Sequence, residues 1–212
     1  MNGCDEMDWP KVIALESKTN AIIQVDDYAR RYSLSSRAVN AALRRQVAKG
    51  LVERVSNKIY INKLARDFTP RDLLSALRPD SYVSLDSALS DFGVTTQVSY
   101  PLTCVSPKYV RNIKTKTIQV TFRTLKKDLY WGFSRKKTRY ATYNLAEPEK
   151  ALLDWIYFKS LDGLPIEMDE FHLDGLDRNR LLEGAKKFSA PVRNRIVSLL
   201  AETPVLSQPQ HH

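Results

Sequence analysis

The sequence predicts an α+β protein in two parts: a helical head closed by a β-hairpin, then a region of mixed α/β character. Three observations predict it. Val39, Leu43 and Val47 recur at four-residue spacing and stack on one side of a helix, while Arg37, Asn40 and Arg44 fall on another. Directly after Gly50, two runs rich in β-branched and aromatic residues (51–55 and 58–61) flank a polar Ser56-Asn57 turn. Beyond Pro79, strand-like and helix-like runs alternate down to residue 201.

In chain order, Trp9, Val12, Ile13 and Leu15 fit a first amphipathic helix that tolerates Pro10 in its opening turn. The short apolar run 21–25 reads either as a strand or as the loop into the next helix. Residues 25–32 form that helix, with Asp26 and Asp27 in the first turn and Arg30 and Arg31 in the last, as the helix dipole prefers. Ser33-Leu34-Ser35 turns the chain into the helix over 36–49, which Ser35 or Ser36 caps and Gly50 ends in a left-handed conformation. Two helices joined by a tight turn make a helix-turn-helix, and the hairpin that follows at once gives the layout of a winged helix. Its domain is expected over 1–66.

A connector is expected over 67–80, where Thr69 caps a short helix with Pro70 in its first position. The C-terminal α/β domain then spans 81–206, and 207–212 reads as a flexible tail. Within it, strands are expected at 81–84, 102–106, 117–122, 130–133 and 139–143. Leu85, Ala88, Leu89 and Phe92 mark a helix that stops at Gly93. The helix opening at Glu147-Pro148-Glu149 is apolar almost all round and is expected at the domain's buried centre, with its glutamates serving as helix caps. Amphipathic helices over 178–188 and 191–201 finish the chain.

The formal net charge of +9 on 212 residues favours an anionic partner, with nucleic acid the commonest. On the helix over 36–49, Arg37 and Arg44 suit bidentate bonds to guanine and Asn40 to adenine in a major groove. Arg54 and Lys58 flank the hairpin tip, where phosphates lie. A second concentration of charge runs from Lys108 to Arg139, with eleven basic residues against the single acid Asp128. Its members include Arg111, Lys114, Lys116, Lys126, Lys127, Arg135, Lys136, Lys137 and Arg139, a possible second basic surface. Interleaved Tyr109, Phe122, Tyr130, Trp131 and Phe133 read as strand core positions in preference to base-stacking platforms.

Other classes are disfavoured. Outside the tail, His172 is the only histidine, which argues against a histidine triad or metal cluster. Nor is there a glycine-rich phosphate loop. Asp86 and Asp91 lie five apart and so face different ways, and the Glu147–Lys150 stretch has Pro148 where a nuclease pattern needs an acid. No enzymatic activity and no cofactor are therefore expected. Cys4 and Cys104 fit neither a metal site nor a disulfide framework, and the acidic N-terminus lacks the apolar core of a signal peptide. A cytoplasmic location is expected.

Together with the head (Ser35 to Gly50, then Leu51 to Ile61), two further stretches carry a family likeness: Tyr82-Val83-Ser84-Leu85-Asp86-Ser87-Ala88-Leu89 and Pro148-Glu149-Lys150-Ala151-Leu152-Leu153-Asp154. With these, most of the chain resembles the AbiEi family, the antitoxins and transcriptional regulators of type IV abortive-infection toxin–antitoxin systems. The resemblance implies a winged helix that binds inverted repeats in duplex DNA at its own promoter, as a monomer or dimer, and represses the operon. It also implies a C-terminal domain that counteracts a nucleotidyltransferase-like toxin without a stable complex. Carried over by position, Ser36, Arg37, Asn40 and Arg44 (beside the cap Ser35) read DNA, and Arg45, Lys49 and Lys58 hold phosphates. The apolar content of the two C-terminal motifs reads as packing. Two alternatives stay open: a stand-alone winged-helix regulator without a toxin, or an RNA-binding module using the basic segment 108–139.

Overall fold

The computed structural model describes residues 7–97, 100–169 and 171–202 and is mixed α+β, with the chain dividing into two units. Among the described residues, the N-terminal unit gathers 7–79, 113–119 and 137–143; the C-terminal unit gathers 80–97, 100–112, 120–136, 144–169 and 171–202. Of the connector expected over 67–80, residues 67–79 group with the N-terminal unit and Asp80 with the C-terminal one. Cys4 and the tail expected over 207–212 lie outside the described residues. None of the described helices is long and apolar enough to cross a membrane.

The N-terminal unit is built from helices α1 (Trp9–Glu16), α2 (Val25–Arg31) and α3 (Ser36–Ala48) and strands β1 (Ile22–Gln24), β2 (Val52–Arg54) and β3 (Ile59–Asn62). Asp8 caps α1 by accepting the Lys11 N–H, with Pro10 in the first turn. The apolar run after Asn20 resolves as strand β1, antiparallel to β3, which also pairs with β2 in the expected hairpin. Trp9, Ile13, Ile23, Val25, Tyr28, Val39, Leu43, Val52 and Tyr60 close one apolar core. Glu16 ties α1 to α2 by accepting hydrogen bonds from Tyr28, Tyr32 and Arg31 at 3.3, 3.2 and 2.5 Å. The buried Asn62 amide donates to the Ile13 carbonyl at 2.8 Å, pinning β3 to α1. Leu15, counted on the apolar face of α1, is exposed instead, since that core is already filled by Trp9 and Ile13.

After β3, Thr69 and Asp72 form a reciprocal capping box over a single 3₁₀ turn (Pro70–Leu73) that runs into α4 (Leu74–Leu77). Segments distant in sequence return to this unit. Glu53 of β2 accepts from the Lys116 amide at 2.8 Å and the Thr117 hydroxyl at 2.7 Å. Likewise the Thr138 hydroxyl donates to buried Asp72, and the Tyr140 hydroxyl to the Arg66 carbonyl at 2.5 Å.

The C-terminal unit centres on a sheet in which β7, β5, β4, β9 and β8 lie side by side in that order. Its strands are β4 (Tyr82–Val83), β5 (Leu102–Ser106), β7 (Gln119–Thr124), β8 (Phe133–Lys137) and β9 (Thr142–Ala146), while the short β6 (Ile113–Lys114) falls among the residues of the N-terminal unit. Strand β4 lies antiparallel to β5 and parallel to β9, and β5 lies parallel to β7. Helices α5 (Leu85–Asp91), α6 (Pro148–Leu161), α7 (Arg178–Ala185) and α8 (Ala190–Glu202) complete it. As its composition requires, α6 is buried along most of its length, from Glu149 to Phe158.

Three expected strands shift. The run 130–133 is not a strand: a 3₁₀ turn (Lys127–Leu129) precedes it, and Gly132 at φ +72° bends the backbone before β8 begins. Tyr130 and Phe133 instead stack with Tyr82, their ring centroids 5.5 and 4.7 Å from its ring. The strand expected at 139–143 begins at Thr142, because Thr138 closes a turn with Ala141. The strand expected at 117–122 starts at Gln119, after the turn that Thr115 makes with Ile118.

Candidate functional site

Helix α3 is set by its ends and its rear face. Ser35 caps it by accepting the Ala38 N–H at 3.1 Å, and Gly50, at φ +74°, takes the left-handed turn that ends it. The buried seam is Val39, Ala42, Leu43 and Gln46, one step rotated from the expected Val39–Leu43–Val47 line; Val47 is 38% exposed. A strict four-residue repeat drifts around a helix of 3.6 residues per turn, so the third member leaves the core. On the opposite side Arg37, Ala41, Arg44 and Ala48 form an exposed stripe, with Arg45 and Lys49 exposed beside it. Two arginines one heptad apart, separated by alanines, make a face that a groove accepts without steric conflict.

The other expected contacts are engaged inside the unit. Asn40 is half-buried, and its Oδ1 accepts the hydroxyl of the fully buried Tyr60, so this side chain braces α3 on β3. That bond engages the amide oxygen, which the expected adenine reading uses together with the amide nitrogen. Asp26 accepts from the Ser36 hydroxyl and the Lys58 ammonium, both at 2.8 Å. The hydrogen bond from Lys58, followed by that from Ser36, holds the Asp26 carboxyl below the usual carboxylate range. Arg54 folds over the hairpin tip, bonding the Ser56 carbonyl at 3.1 Å and the Asn57 side chain.

Apart from Arg123, which is half-buried and paired with Asp162 at 2.7 Å, the basic residues of 108–139 are exposed but divide between the units. Lys114, Lys116, Lys137 and Arg139 belong to the N-terminal unit, where Arg139 pairs with Asp67 at 3.2 Å. Arg111, Lys126, Lys127, Arg135 and Lys136 belong to the C-terminal unit. Of the interleaved aromatics only Tyr109 is largely exposed, at 82%.

A second constellation was not read from the sequence. Lys150 and Asp154, one turn apart on α6, are 1% and 0% exposed and form an ion pair. The Lys150 ammonium also donates to the Tyr82 hydroxyl at 3.0 Å, while the Tyr82 and Ser84 hydroxyls each donate to Asp154 at 2.9 Å. The two C-terminal motifs thus meet in one buried polar network, where their apolar content alone suggested packing. Burial pushes the Asp154 carboxyl up and the Lys150 ammonium down, each opposed by the other's charge. Burial, then the Asp154 charge, pushes the Tyr82 hydroxyl up. Beside the network, Leu85 opens α5 at φ +57°, a region costly for a branched side chain. The signal for this network was a lysine and an aspartate at helical i, i+4 spacing inside an otherwise apolar helix.

The glutamates of α6 do not cap it as expected. Glu147 holds the N-cap position without a side-chain cap bond, and Glu149 turns away to accept the Asp177 N–H of α7 at 2.9 Å. Among the described residues no group of three or more His, Cys, Asp or Glu side chains is placed to hold a metal ion. Neither a known protein family nor a curated protein matches the chain.

Proposed function

We propose that the N-terminal unit is a winged helix-turn-helix that binds duplex DNA through α3, with β2–β3 as its wing, and that the chain represses transcription from its own promoter. One observation carries this reading. The rear of α3 is fully engaged in the core while its outer stripe holds Arg37 and Arg44, charges that no ion pair neutralises among the described residues. Lys49 adds a phosphate contact at the helix end, and Lys116, exposed on the turn held by Glu53 of β2, adds another near the wing. Lys58 joins them once a phosphate replaces Asp26 as its partner.

The antitoxin role rests on the likeness to AbiEi proteins at residues 82–89 and 148–154. That these two stretches share one buried network supports treating them as a single signature. Inverted repeats would be read by two copies, each on one half-site.

Binding of the purified protein to its own upstream DNA across a salt series tests the proposal. The expected result is sequence-specific binding whose log K falls with log salt by about 0.9 per phosphate contacted. In Arg37→Ala/Arg44→Ala, specific binding weakens by roughly 1–3 kcal/mol per lost bidentate contact. Equal, weak binding by both proteins sinks the recognition-helix reading. Loss of a toxic neighbour's effect on co-expression is then the expected antitoxin result.

A second nucleic-acid surface is favoured by Lys126, Lys127, Arg135 and Lys136, exposed on the C-terminal unit and without an ion-pair partner among the described residues. Preference for RNA over the upstream duplex, lost in Lys127→Ala/Lys136→Ala and kept in the α3 variant, would favour that surface over α3.

A further inference from the structure

A cavity of about 400 Å³ opens in the C-terminal unit between Trp131 of the loop before β8, the first turn of α6, and α7 with its following turn. Most charges around it are matched. Arg180 lies 3.6 Å from Glu147, and Glu183 accepts from Lys186 at 2.6 Å. Two buried polar atoms are not. Glu149, only 6% exposed, has one carboxylate oxygen on the Asp177 N–H, and its Oε2 has no hydrogen-bond partner. The indole Nε1–H of Trp131, another residue of the cavity lining, likewise has none.

An unmatched buried carboxylate oxygen and an unmatched N–H are each costly, which makes a ligand supplying one donor and one acceptor favourable here. The face of Trp131 specifies the donor's charge. Lys187 holds its ammonium 4.2 Å from the indole centroid, so this face already binds a cation. A guanidinium does both jobs better than an ammonium: it is planar, stacks on an indole, and offers N–H groups in a fork matched to a carboxylate.

We infer that this cavity is a binding site for an arginine-bearing ligand, its guanidinium stacked on Trp131 and donating to Glu149, with an adjacent carbonyl or carboxylate oxygen accepting from the Trp131 N–H. Lys187 is the internal occupant that the ligand displaces. The site does not depend on the DNA reading of α3, and its test uses no nucleic acid.

The full-length chain, labelled with ¹⁵N, is titrated separately with L-arginine and with N-acetyl-L-arginine methylamide while the three indole N–H signals are followed. Trp131→Phe assigns the relevant signal, and circular dichroism checks each variant's fold. A saturable shift of the Trp131 signal is expected, with Trp9 and Trp155 unmoved. Binding tightens several-fold in Lys187→Ala and is lost in Glu149→Gln, which keeps the bond to the Asp177 N–H. A preference for the methylamide identifies a peptide as the source; a preference for the free amino acid identifies a small molecule. No saturable shift in either the wild type or Lys187→Ala overturns the inference, as does binding that survives Glu149→Gln or fails to tighten in Lys187→Ala.

Discussion

The two units handle charge in opposite ways. In the N-terminal unit α3 turns Arg37 and Arg44 outward, with no ion pair to either among the described residues, while its inward face is apolar apart from Gln46. In the C-terminal unit α6 carries a lysine and an aspartate into the core and neutralises each with the other and with two hydroxyls. An exposed charge costs little and is available to a partner. A buried one is tolerable only when its whole hydrogen-bonding shell is present. The outward charges are available to the proposed DNA partner, and the inward ones hold together segments far apart in sequence.

The sharpest way to break this contrast is to remove one member of the buried pair. Lys150→Ala leaves Asp154 enclosed without its cation, with an expected loss of about 3–5 kcal/mol in urea unfolding. Combining Lys150→Met with Asp154→Asn should recover a large part of it, because the neutral amide still accepts from Tyr82 and Ser84. A double variant as unstable as Lys150→Ala would show that packing, and not charge, dominates there.

Asn40 tests the boundary between the two behaviours, being on the outward helix yet bonded inward. Asn40→Ala should cost about 1–2 kcal/mol of stability by stranding the buried Tyr60 hydroxyl, a loss that Tyr60→Phe in the same chain does not deepen. Its operator preference should stay that of the wild type. A changed base preference at constant stability would restore Asn40 as a reader.

A smaller effect is expected at Asp26, the carboxylate that holds Ser36 and Lys58. Asp26→Asn frees the lysine and removes a negative charge from the side proposed to face DNA. Binding to all sequences should tighten several-fold at low salt, and the salt slope should steepen by about one phosphate. Unchanged affinity would place Lys58 outside the interface.

The smallest effect concerns pH. Burial acts to raise the Glu53 carboxyl, but hydrogen bonds from the Thr115 and Thr117 hydroxyls and from the Thr117 and Lys116 amides outweigh it, and the net shift is downward. A carboxyl lower in the folded than in the unfolded chain adds stability above its ordinary range, lost as pH falls through the depressed value. Acid titration of stability should be shallower in Glu53→Gln than in the wild type; identical curves would discount the contact between β2 and the 115–117 turn.

Local rules carried the N-terminal unit far. The Ser35 cap, the Gly50 stop, the hairpin around Ser56-Asn57 and the Thr69–Pro70 start were legible because each depends on neighbours within a few residues. So was the burial of α6, since an apolar helix has nowhere else to go. Even where an element was legible its facing was not always: the α3 seam runs through Gln46 and not Val47, because helical drift and core space decide the last position.

Composition, order of elements and the outward basic face of α3 were thus determined by the sequence alone, since they follow from periodicity, capping and charge. Only the tertiary structure decided which polar side chains are spent internally. Asn40 on Tyr60, Asp26 on Lys58, Glu149 on the Asp177 N–H and Lys150 on Asp154 and Tyr82 are mostly contacts across distant elements. A residue's chemistry is written in its side chain, but whether that chemistry is free depends on what the fold brings within about 3 Å of it.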